Sequence, residues 1–120
     1  MAKILLADDD AAVRELVSRA LTSEGHTVAV TQDGAEALEY FEANPGAVDI
    51  IVTDVDMPAL DGVSLAEQAI AQNPRLSIVL MSGFSEQLDR AARLKARRLI
   101  SITKPFTLEQ IKQAVRAVVA

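Results

Sequence analysis

The chain has 120 residues, is half apolar and carries a formal net charge of −5. That length argues for a single domain whose core is large enough to need no covalent staples. The lack of cysteine excludes a disulfide framework and a thiolate metal site, the single histidine excludes a histidine-rich one, and the acidic balance with few aromatic residues weighs against a nucleic-acid partner.

The opening segment MAKILLADDD meets three acids before its apolar run reaches signal-peptide length, and no stretch approaches the roughly 20 apolar residues of a membrane span. A soluble cytoplasmic protein is therefore expected. Ile4–Ala7 is almost wholly apolar, which predicts a strand buried on both faces. Asp8, Asp9 and Asp10 follow, and Val13, Leu16, Val17, Ala20 and Leu21 then fall at helical spacing, with Gly25 where a helix stop is expected. Thr27–Val30, with His26 before it, alternates as an edge strand does. Asp33 and Glu36 have capping-box spacing ahead of a helix carrying Ala37, Leu38 and Phe41. Ile50–Thr53 is a second apolar run, ending in Asp54 and followed by Val55, Asp56, Met57 and Pro58. Asp61 and Gly62 read as a turn capping a helix through Leu65, Ala66, Ala69 and Ile70, which stops before Pro74. Ile78–Met81 is a third apolar run and leads to Ser82 and Gly83. Leu88, Ala91 and Ala92 mark a fourth helix. Leu99–Ile102 alternates like a second edge strand and runs to Lys104 and Pro105. The last helix opens with Thr107 and Gln110 as a capping box and Phe106 and Ile111 as a hydrophobic staple.

Five strands alternating with five helices predict an α/β fold of (βα)5 type, a parallel sheet with helices on both faces. Edges at the second and fifth strands give the order 2-1-3-4-5, with a switch point between strands one and three. The pattern runs from residue 1 to residue 120 as one domain, and no output domain is expected.

Ligands of such sheets sit outside the carboxyl ends of the strands. Here those ends deliver Asp8, Asp9, Asp10, Asp54, Asp56, Ser82, Gly83 and Lys104 to one rim. Carboxylates gathered there repel one another, and one is pushed toward protonation unless a cation neutralises the site. Hard oxygen ligands suit Mg²⁺, and Lys104 adds a point-like positive charge. Ser82 supplies a hydroxyl, and Gly83 lets backbone approach closely. Two cations and a hydroxyl around a central carboxylate is an arrangement for stabilising a phosphoryl group in transfer, with Asp54 as the nucleophile in mid-sheet.

The segments LLADDD, VTDVDMPALDG, LMSGF and TKPF resemble the four signature segments of response-regulator receiver domains, in order and along the whole chain. The resemblance implies a CheY-like, flavodoxin-like fold and a two-component phosphorelay switch rather than an enzyme with a turned-over substrate. It implies Asp54 as phosphoacceptor, Asp9 and Asp54 as Mg²⁺ ligands, Asp8 holding the metal through water, and the Asp56 backbone carbonyl as a further ligand. It gives Ser82, Gly83 and Lys104 to the phosphoryl group, a cis bond to Lys104–Pro105, and an N-cap to Asp10. A histidine kinase or a histidine phosphotransfer protein is the implied donor, docking at the first helix. The phrasing LLADDD, DMPALDGVSLA, LMSGF and SITKPFTL is similar to CpdR-type single-domain receivers, which implies an output through a ClpXP-type protease.

Two departures stand out. Many receivers place an aromatic residue three positions before the signature lysine, and here that position is Ser101, so the usual ring-swap coupling is in doubt. Phe84, two residues past Ser82, is a gating candidate by position. The run Arg90, Arg93, Lys95, Arg97 and Arg98 replaces the acids that precede strand five in many DNA-binding members, so a monomer without direct nucleic-acid contact is expected. That run reads as a solvated face, with a docking surface for a kinase or acidic adaptor as the alternative. His26 is assigned to the surface of the edge strand, and Asp61 is given no chemistry. The competing functions are a phosphatase, because Asp54-Val55-Asp56 resembles the DxD motif of haloacid-dehalogenase-like enzymes, a flavodoxin-like carrier, and an unphosphorylated scaffold. The chain order of the acids argues against the phosphatase. The acidic first loop argues against the carrier, and the complete acid–hydroxyl–lysine set against the scaffold.

Overall fold

A computed structural model describes residues 1–83 and 86–119. The strands are β1 (Lys3–Ala7), β2 (Thr27–Thr31), β3 (Ile50–Asp54), β4 (Ser77–Ser82) and β5 (Arg98–Thr103). The helices are α1 (Ala11–Ser23), α2 (Gly34–Ala43), α3 (Gly62–Gln72), α4 (Glu86–Ala91) and α5 (Leu108–Val119). The strands form one parallel sheet in the order β2-β1-β3-β4-β5, as the alternation of runs and helices predicts.

Side chains alternate across a strand, so each central strand feeds two cores. Ile4, Leu6, Val52, Val79 and Met81 pack with Val17, Leu21, Ile111 and Val115 of α1 and α5. Leu5, Ala7, Ile51, Ile78 and Leu80 pack with Ala37, Phe41, Leu65, Ala66 and Ala69 of α2 and α3, joined by Ala91 of α4. Every residue of β3 and β4 is buried, whereas β2 and β5 are exposed at alternate or neighbouring positions. That is the physical content of the apolar versus alternating runs.

The helix ends follow their local chemistry. Asp10 accepts the N–H groups of Ala12 and Val13 as N-cap of α1. Gly25, at φ +93, takes the left-handed step just past the α1 C-cap, a conformation that a Cβ disfavours. Thr107 and Gln110 bond reciprocally, Gln110 N–H to Thr107 Oγ1 and Thr107 N–H to Gln110 Oε1, so the predicted capping box is complete. At Asp33 only the forward half is present, from Glu36 N–H to Asp33 Oδ1. Two side chains depart from their spacing. Leu16 is 53% exposed, in an open groove it shares with Phe106 and Leu108, and Ala92 lies exposed beyond the end of α4. The side chain of Leu88 lies outside the described residues.

Candidate functional site

The carboxyl rim is built from the ends of the three central strands plus β5. Asp8 follows β1 and is fully buried, and Asp54 closes β3 at 6% exposure. Asp9 is exposed beside them. Carboxylate oxygens of Asp8, Asp9 and Asp54 lie within 4.8 Å of one another, a spacing one oxygen-seeking cation can span. Lys104, just past β5, reaches across the rim, with Nζ 3.2 Å from Asp8 Oδ2 and 3.3 Å from Asp54 Oδ2. Its own N–H donates to the Ser82 carbonyl at 2.9 Å, which ties the start of the last turn to the end of β4. The Lys104–Pro105 bond is cis, as the resemblance implies.

The electrostatics follow from that crowding. Burial pushes the Asp54 carboxyl up to about 6, with the Asp8 charge adding to the rise, while Lys104 and the Asp56 N–H pull the other way. Burial opposes the charge on Lys104, but the facing carboxylates of Asp54 and Asp8 outweigh it and raise its pKa. The repulsion expected among the acids is thus present, and it falls on the central one.

Neighbouring elements hold the carboxylates still. Asp10 N–H donates to Asp8 Oδ1 at 2.8 Å, and Arg14, one turn into α1, donates from Nη1 to the Asp8 carbonyl at 2.9 Å. Gly62 opens α3 against the far side of β3. A Cβ there would fall on the Asp54 carbonyl oxygen, so only glycine permits this approach. Ala59, in the loop between β3 and α3, takes φ 69, an uncommon left-handed conformation for a residue with a Cβ.

The structure therefore brings Asp8, Asp9, Asp54 and Lys104 together. Ser82 is the buried last residue of β4, one strand over, and Gly83 follows it in open surroundings. The Asp56 side chain points to solvent, and its part is the N–H it gives Asp54. Ser101 is exposed on β5 opposite Leu80, away from the carboxylates, and Phe84 lies outside the described residues. His26 sits at the opposite rim, where Nδ1 accepts the Ala2 N–H. Two contacts were not read from the sequence. One is the Arg14 brace, whose signal is a guanidinium one turn past an acidic rim. The other is the pairing of Asp61, which caps α3 through Ser64 N–H as the sequence predicts, with Arg90 of α4 at 3.4 Å. Burial opposes its charge, but Ser64 and Arg90 together lower the Asp61 pKa.

A parallel α/β sheet with its buried charged side chains at the carboxyl ends, beside the β1/β3 switch point, defines the class of ligand-handling doubly wound domains. Within that class the chain belongs to the response regulator receiver domain family, whose model matches residues 4–116. It is 37% identical over 115 residues to response regulator MprA of Mycobacterium sp. strain KMS, covering 96% of this chain and 49% of that protein. It is 36% identical to sensor kinase CckA of Brucella abortus strain 2308, across 96% of this chain and 12% of the kinase. The chain thus spans about half the length of the MprA relatives it matches. Among solved structures, response regulator TrrA of Thermotoga maritima in complex with Mg²⁺-BeF superposes with a TM-score of 0.83 at 25% identity, covering 98% of this chain and 99% of that one.

Proposed function

We propose that this receiver domain is a phospho-switch that takes a phosphoryl group onto Asp54 from a histidine kinase or histidine phosphotransfer protein. The observation that carries the proposal is a buried carboxylate at the end of the central strand, faced at 3.3 Å by a lysine and flanked by two further acids. An Asp54 Oδ lone pair attacks phosphorus, the bond from phosphorus to the donor nitrogen breaks, and an acyl phosphate forms on Asp54. Lys104 already sits where the added negative charge arrives, so it can turn from Asp54 Oδ2 to a phosphoryl oxygen without reorganising the rim.

The donor set fits Mg²⁺. Asp9, Asp54 and the Asp56 carbonyl would hold it, with Asp8 through water, and the ion would supply neutralising charge for the carboxylates and the phosphoryl oxygens. The solved relative TrrA, with its Mg²⁺-BeF, supports that reading. Ser82 and Gly83 stand at the adjacent strand end to receive a phosphoryl oxygen. Incubation with Mg²⁺ and acetyl phosphate should add one phosphoryl mass to the parent and none to Asp54→Asn. An unmodified parent that also shows no response to beryllofluoride overturns the switch and leaves a scaffold.

The finer form of this reading is an output through a ClpXP-type protease, which rests on the CpdR-like phrasing of the signature segments. Co-purification of the parent with ClpX, altered by beryllofluoride, supports it, and equal absence of binding in both states removes it.

A further inference from the structure

The amino-terminal rim of the sheet, at the other end from the carboxylates, is basic. Five of the chain's twelve lysines and arginines fall within residues 90–98, and no acid interrupts them. The structure divides that run. Arg90 turns inward to Asp61 and Ser64, joining α4 to the start of α3. Arg93, Lys95, Arg97 and Arg98 stay exposed, and none of them makes an ion pair among the described residues. Arg75 joins them from the turn that leads into β4. It stands two residues before Ser77, whose register partner is Arg98, and it too is exposed without an ion pair among the described residues.

Arg75 and Arg97 line one cavity of about 310 Å³, whose lining also includes the exposed apolar side chains of Met1 and Val119 and the buried ones of Val48, Ile50 and Val118. Asp49 lines it as well, with one carboxylate oxygen engaged by the Lys3 N–H at 2.9 Å. Neutralisation of helix ends does not account for so many cations. The carboxyl ends of α3 and α5 reach this cavity at Asn73 and Val118, and each carries about half a negative charge. Setting those and Asp49 against the five cations leaves roughly three positive charges at this rim of a chain that is acidic overall.

We propose that this rim is a docking site for an acidic segment of a partner protein that carries an apolar anchor residue. Charge complementarity selects the carboxylates. Four of the five cations are arginines, whose planar forks match carboxylates two bonds at a time. Met1 and Val119, exposed at this cavity, give an apolar anchor residue something to pack on, and residues 90–98 include no aromatic side chain on which a base could stack. Because this rim lies at the opposite end of the strands from Asp54, such a partner can stay bound while a phosphoryl donor works at the other rim. The proposal does not depend on that chemistry, and its test uses no phosphoryl donor.

The test is fluorescence anisotropy of the full chain with a labelled oligo-glutamate peptide bearing one central leucine. Binding should weaken as added salt shortens the Debye length from about 10 Å to about 3 Å. Arg75→Glu combined with Arg97→Glu should reduce affinity about tenfold or more. Arg19→Glu, on the exposed face of α1 where it pairs with Glu15, should leave it unchanged. Replacing the peptide leucine with serine should also weaken binding. An affinity unmoved by the double substitution, no binding by the parent, or duplex DNA binding as tightly as the peptide would each overturn the proposal.

Discussion

The two rims of this sheet treat charge in opposite ways. At the carboxyl rim, Asp8 and Asp54 are buried and Lys104 is half-buried, so each charge is placed by its neighbours and one pKa is displaced to about 6. At the amino rim, Arg75, Arg93, Lys95, Arg97 and Arg98 are exposed and unpaired among the described residues. The lesson is one of division of labour. Charges removed from water are held in fixed positions by their neighbours, while charges left in water keep their hydration and their freedom to move.

The sharpest way to break the comparison is at the backbone behind Asp54. Gly62→Ala puts a methyl group on the Asp54 carbonyl, so β3 and α3 must part, and urea unfolding should show a loss of about 3 kcal/mol. The same variant should also take up phosphoryl groups more slowly, because the Asp54 carboxylate moves with its backbone. A second test reads the burial of the charge itself. With the Asp54 pKa raised from 3.8 to about 6, the folded state binds more protons than the unfolded state between those values. The stabilisation is therefore complete below about pH 4 and is lost as the pH rises through 6. Asp54→Asn should remove that slope, and in chelator at neutral pH it should be more stable than the parent by about 2 kcal/mol. The smallest effect belongs to the other rim. Arg97→Ala should unfold within about 0.5 kcal/mol of the parent, since its exposed side chain has no partner to lose among the described residues. A large loss there would mean that the basic rim is structural after all.

The fold was legible because each strand wrote its burial into its own composition. Ile50–Thr53 has no polar face to give away, and Leu99–Ile102 does. The rim acids and Lys104 were legible for a related reason, since each sits immediately past an apolar run. Contacts between distant segments were not. Nothing local tells Arg90 from Arg93, yet one reaches Asp61 and the other faces water. Nor does the spacing of α1 show that Leu16 is left uncovered, because that depends on how far Phe106 and Leu108 extend over the same groove.

The paired cores carry one more consequence. Residues adjacent along β1, such as Leu5 and Leu6, belong to different cores on opposite sides of the sheet. A slip of one residue in a central strand would trade every occupant of one core for an occupant of the other, so each side independently vetoes the error. The edge strands have fewer buried positions to object. Misalignment, and with it tolerance of insertions, should therefore concentrate at the sheet's flanks and leave the strand that carries Asp54 the last to lose its place.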